Sequence, residues 1–109
     1  MSEQNPDILP ELNKEEIRQK LNLETARINW KELEKHFARG VLITVSDKLD
    51  LIDVALEFVQ DNKIDIEAWL ADSLIIRTTD EQAKQWSASE PDLWAVVVVP
   101  WILIQQRLN

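Results

Sequence analysis

Cysteine is absent from this chain, and with it go disulfides, zinc–thiolate and iron–sulfur sites and any thiol nucleophile. That absence suits a reducing compartment. Histidine occurs once, at position 36, so one chain cannot assemble a multi-histidine metal site. Glycine also occurs once, at position 40. Dinucleotide and P-loop fingerprints need several glycines so that backbone N–H groups can approach phosphate, and neither can be built here. Positive charge is scarce, with 12 Lys and Arg against 20 Asp and Glu, a net charge of −8. Such a surface repels a phosphate backbone, and no basic stripe interleaves with aromatics, so neither nucleic acid nor an anionic membrane is an expected partner. No apolar run reaches the roughly 18 residues of a membrane span. The acidic opening, Met1 to Asp7, leads into no signal-peptide core. The expected location is cytoplasmic.

The charge deficit is uneven. Residues 1–40 hold eight acidic and seven basic side chains, whereas residues 41–109 hold twelve and five. The composition, 45% hydrophobic and 29% charged, is that of a folded globule. Residues 1–12, polar and interrupted by Pro6 and Pro10, are expected to form a flexible tail, and residues 13–109 a single α+β domain.

The longest uncharged stretch is Leu93–Ile104, with four consecutive valines at 96–99. β-Branched side chains favour extended backbone, so the stretch reads as a buried strand on which other elements dock. Pro100 has no N–H to donate, so the ladder must break, bulge or lie at a sheet edge there. In an unbroken strand Trp94 and Trp101, seven residues apart, point to opposite faces; a bulge at Pro100 changes that parity.

Helices are expected from capping patterns and apolar spacing. Asn13-Lys-Glu-Glu16 opens a helix with Ile17, Leu21 and Ile28 on its inner stripe. Asn29-Trp-Lys-Glu32 repeats the capping pattern for a second, with Trp30, Leu33, Phe37 and Ala38 inward, closed by Gly40. Ser46 or Asp47 caps a third through Leu51, Val54, Ala55 and Phe58, with Ile52 and Val59 alongside, ending near Asp61-Asn62. Asp65 caps a short fourth, Ile66–Ala71, burying Trp69 and Leu70. Thr79-Asp-Glu-Gln82 opens a fifth through Trp86. Val41–Val45 and Leu74–Ile76, with Arg77 and Thr78, are further strands, and Gln105–Asn109 a polar tail. The expected fold is α+β, a small mixed sheet of three to four strands covered by about five helices.

Candidate sites are few. Asp61 to Glu67 has the outline of a calcium loop, but Lys63 stands at a ligand position and Ile66 where the turn needs glycine, so it reads as a helix junction. Asp50, Asp53 and Glu57 share one helix side, opposite the apolar one, and read as a solvated face. Trp94 and Trp101 are the natural anchors for a partner if exposed, and Arg27 with Thr25 can clamp an anion or a partner carboxylate. No catalytic, cofactor-binding or metal-binding residue is assigned. The leading expectation is a non-enzymatic protein-interaction or regulatory module in which Trp94–Ile104, at a sheet edge, pairs with its own copy or another protein. The alternative is a small-molecule binder or enzyme with a pocket near Thr25, Arg27 and His36.

The phrases Leu23-Glu-Thr-Ala-Arg-Ile28, Trp30 with Leu33 and Phe37-Ala38, Leu49-Asp-Leu51, Trp69-Leu70, and Trp94-Ala-Val-Val-Val98 with Pro100-Trp101 fall in a familiar order. In this order the chain resembles the small bacterial proteins of the "domain of unknown function 2288" family, over about residues 20–105. The resemblance implies a bacterial, cytoplasmic protein and supplies no activity or catalytic residue.

Overall fold

A computed structural model describes residues 13–107; the expected tail at 1–12 and the last two residues lie outside the described residues. The uncharged stretch does fold as β structure, but as two strands rather than one. Pro100, which cannot donate to a ladder, falls between them, and the Val99–Pro100 peptide bond is cis. The strands Asp92–Val98 and Trp101–Gln105 thus form a tight antiparallel hairpin, with Val98 opposite Trp101 and Trp94 opposite Gln105.

In chain order the elements are α1 (Lys14–Glu24), β1 (Ala26–Asn29), α2 (Trp30–Ala38), β2 (Leu42–Val45), α3 (Leu51–Val59), α4 (Lys63–Ala71), β3 (Ile75–Arg77), α5 (Asp80–Ser89), β4 (Asp92–Val98) and β5 (Trp101–Gln105). The five strands lie in the order β1-β4-β5-β2-β3. Only β2 and β5 run parallel; the other three pairings are antiparallel. The fold is therefore α+β with a mixed sheet, one strand larger than the upper expectation. The valine hairpin occupies its interior, so the expected docking edge along Trp94–Ile104 does not exist.

Alternation along the strands gives the sheet two apolar faces, each covered by helices. Ile43, Val45, Ile75, Val96, Val98 and Leu103 meet Leu21 of α1 and Leu51, Val54, Ala55 and Leu56 of α3, with Ile66 and Trp69 of α4 at the margin. On the other face Leu42, Leu93, Ala95, Ile102 and Ile104 meet Trp30 and Leu33 of α2 and Trp86 of α5. The two buried indoles lie 5.3 Å apart, centroid to centroid, in a tilted arrangement. Trp30 and Trp86 are therefore core, whereas Trp69 is only half-buried, and Leu70, Val59 and Ala38 are exposed.

The caps explain most boundaries. The capping boxes at Asn13–Glu16 and Thr79–Gln82 form, and Asn29 caps α2 through Lys31 N–H. Gly40 takes φ +74° past the end of α2, where a side chain would be strained. Asp50, not Ser46 or Asp47, caps α3, accepting from the N–H groups of Ile52 and Asp53. Asn62, not Asp65, caps α4 and so adds a turn to it. α5 continues past Trp86 to Ser89.

Two differences alter the architecture. The first helix stops at Glu24, with Thr25 extended, because residues 26–29 gain a full cross-strand ladder with β4. β1 is the strand missing from the sequence reading. At the other end Gln105 is not in a tail: it is 1% exposed, and its Nε2 donates to the Ser46 and Leu49 carbonyls, both at 2.8 Å. This amide fastens the end of β5 to the β2–α3 loop. Gln105→Leu removes both donors and is expected to cost roughly 1–3 kcal/mol. A lower urea midpoint at unchanged m value would show it.

Candidate functional site

Antiparallel strands joined by a two-residue turn put directly opposed side chains on one face. Trp94 and Trp101 therefore point to the same side, that of α1 and α3, and not to opposite sides. Neither ring lies open. Arg27, opposite Trp94 across β1 and β4, places its Cζ 5.5 Å from the Trp94 ring centroid, and Arg107 approaches the same ring at 5.7 Å. Arg77 on β3 lies 5.1 Å from the Trp101 ring. Guanidinium groups over half-buried indoles contribute roughly 0.5–1 kcal/mol each at exposed sites. Arg107 Nε also donates to Gln105 Oε1 at 3.1 Å, so the buried amide positions it.

Of the four interaction candidates, the fold brings Arg27 and Trp94 together and sets Trp101 under Arg77. Thr25 is engaged elsewhere: its hydroxyl donates back to the Leu21 carbonyl at 2.7 Å, closing α1. Arg77 and Arg107 escaped the sequence reading. Two-residue alternation from Ile75 to Arg77 does place Arg77 on the Trp101 face, but Arg107 follows a strand end that the polar composition of Gln105–Asn109 concealed.

His36 lies on α2, across the sheet from Arg27, so the pocket expected near Thr25, Arg27 and His36 is not formed. Its Nδ1 sits 3.1 Å from Arg39 Nη1, which makes Nδ1 the acceptor. Its pKa is lowered, first by burial, then by the charges of Arg39 and Lys35. On α3 the carboxylates are engaged locally: Asp53 pairs with Arg18, and Glu57 accepts from Asn62 Nδ2 at 2.8 Å. No group of three or more His, Asp or Glu able to hold a metal exists among the described residues. Nor, among them, is any helix long and apolar enough to cross a membrane.

Besides a cleft of about 660 Å³ between α2 and α5, lined by Phe37, Ala83 and Lys84, open surface gathers in two places. At the hairpin tip, Val97 is 55% and Val99 86% exposed. Clefts of about 530 Å³ and 360 Å³ flank this tip, the first toward Phe58, Ile66 and Leu70, the second toward Ile17, Leu21 and Val59. Another cleft, about 340 Å³, runs between β1 and α2 with Ala26, Ile28, Ala95, Val97 and Ile102 as its floor and His36 on its rim.

Residues 16–106 match the family described as "Protein of unknown function (DUF2288)". The chain belongs to the DUF2288 family. The solution structure of PA1075 from Pseudomonas aeruginosa, determined by NMR, is similar to it, with 41% sequence identity and a TM-score of 0.75 over 85% of this chain and 86% of that one. No curated protein matches this DUF2288 member.

The lowered His36 pKa gives a pH dependence with a definite sign. The unfolded imidazole binds its proton more readily than the folded one, so stability falls as pH drops through the ordinary histidine value near 6.5 and levels off below the folded value. His36→Gln is expected to flatten that part of the stability–pH curve, and Arg39→Ala to raise the His36 midpoint in an NMR titration.

Proposed function

We propose that this DUF2288 protein is a non-enzymatic protein-interaction module that docks a partner at its β4–β5 hairpin tip. One observation carries the reading: the most hydrophobic segment of the chain turns at Val99, which is 86% exposed. Val59, Leu70 and Val97 lie exposed around that turn, and each flanking cleft has an apolar floor. Apolar surface of this kind, contiguous and set beside charged positions, marks sites of protein contact. Two lysines, Lys20 and Lys63, line the clefts beside three carboxylates, Glu24, Asp61 and Glu67, in a chain of net charge −8. The partner segment that fits is apolar on one side and basic at its margins. The absence of cysteine and the likeness to a Pseudomonas protein support a bacterial, cytoplasmic setting for this role.

An amphipathic peptide of alternating leucine and lysine is a direct probe, because Trp101 lines the larger cleft and reports by fluorescence. The cationic peptide is expected to bind, a leucine–glutamate peptide of the same pattern not to, and Val99→Asp to weaken binding about tenfold or more. Equal binding of both peptides, or affinity unchanged in Val99→Asp, would refute docking at the tip.

A further inference from the structure

On the α2 side of the sheet, Ala26 of β1 lies directly opposite Ala95 of β4. Alanine is a poor strand residue, and two of them facing each other forgo the cross-strand packing that larger side chains supply. The pair leaves a hollow, bounded along the strands by Ile28 on one side and by Val97 with Ile102 on the other. α2 does not fill it, and the hollow opens into the cleft of about 340 Å³ between β1 and α2. That volume is at the lower end of the roughly 300–1,000 Å³ of small-molecule sites. The floor offers no polar side chain, so the group that occupies it must be apolar.

The polar groups of the cleft come mainly from α2. Lys35 and His36 each lie one helical turn from Glu32, about 5–6 Å from it between Cβ atoms, and all three line the cleft. Neither Glu32 nor Lys35 forms an ion pair among the described residues. His36 accepts from Arg39 at Nδ1, so its proton sits on Nε2 and that N–H is a donor. Lys31, also at the cleft, is held 3.8 Å from Glu90, and Glu24 adds a second carboxylate from the end of α1.

We propose that this cleft binds a free apolar α-amino acid, its side chain in the Ala26–Ala95 hollow, its ammonium on Glu32 and its carboxylate on Lys35 and His36 Nε2. Charge complementarity selects a ligand with both charges at one end. A simple carboxylate would meet Glu24 and Glu32 with no positive group of its own to offset them. A simple amine would set its charge beside Lys35 and give the His36 N–H no acceptor. An α-amino acid carries opposite charges on one carbon, which suits partners one helical turn apart. The site does not depend on docking at the hairpin tip, since neither Val99 nor Trp101 lines this cleft.

Titration with L-leucine, followed through backbone amide and methyl NMR signals, tests the site. Saturable shifts are expected at Ala26, Ala95 and Val97. Isocaproate, which lacks only the amine, and isoamylamine, which lacks only the carboxylate, are each expected to bind about tenfold or more weakly than leucine. Ala26→Leu fills the hollow from an exposed position, and Lys35→Glu reverses one charge. Each is expected to weaken leucine binding about tenfold or more. The absence of saturable shifts at any leucine concentration overturns the proposal. So does either analogue binding as tightly as leucine, or leucine binding that both variants leave unchanged. If Ala26→Leu fails to fold, Lys35→Glu, at an exposed helix position, still decides.

Discussion

The pairing of β4 with β5 across the Val99–Pro100 turn determines which way every other element faces. Once Val98 stands opposite Trp101, alternation assigns Trp94, Val96, Val98, Leu103 and Gln105 to one side and Leu93, Ala95, Ile102 and Ile104 to the other. α1 and α3 must then cover the first set, and α2 and α5 the second. β1 and β2 take their register from the outer edges of the same hairpin. A slip of one residue would turn one strand over against the other, sending either Trp94, Val96 and Val98 or Trp101, Leu103 and Gln105 into the α2 layer.

Apolar surface divides the molecule in a related way. The sheet is covered on both faces, and its hairpin tip leaves Val97 and Val99 open. Val97 lines both the cleft beside α1 and the one beside α2.

Much of the helical layer was legible in the residues because helix boundaries are local. Asn13, Asn29, Gly40 and Thr79 each act within a few positions of themselves, and each cap forms, although Asn29 does so through Lys31 N–H without the Glu32 half of the box. Strand pairing is not local. Nothing within residues 22–30 shows that Ala26–Asn29 will leave the helix, because the groups that compensate for the lost helical turn belong to β4, more than sixty residues later. Gln105 was hidden for the same reason: its polar side chain suggests solvent unless the carbonyls of Ser46 and Leu49 are known to await it. The Arg27–Trp94 contact depends on β1 and was equally invisible, whereas the separation of Arg27 from His36 follows from a sheet lying between them.

The single parallel pairing, Leu42–Thr44 against Ile102–Ile104, joins a strand made early in synthesis to one made late. β1 likewise waits for β4, and β3 has only β2 to hold it. A ribosome releasing this chain from its N-terminus therefore exposes the helices, with their apolar stripes uncovered, well before any sheet can exist to receive them. The interior of the sheet, β4 with β5, is thus the last part of the sheet to leave the ribosome, and β1 has no partner strand until it does.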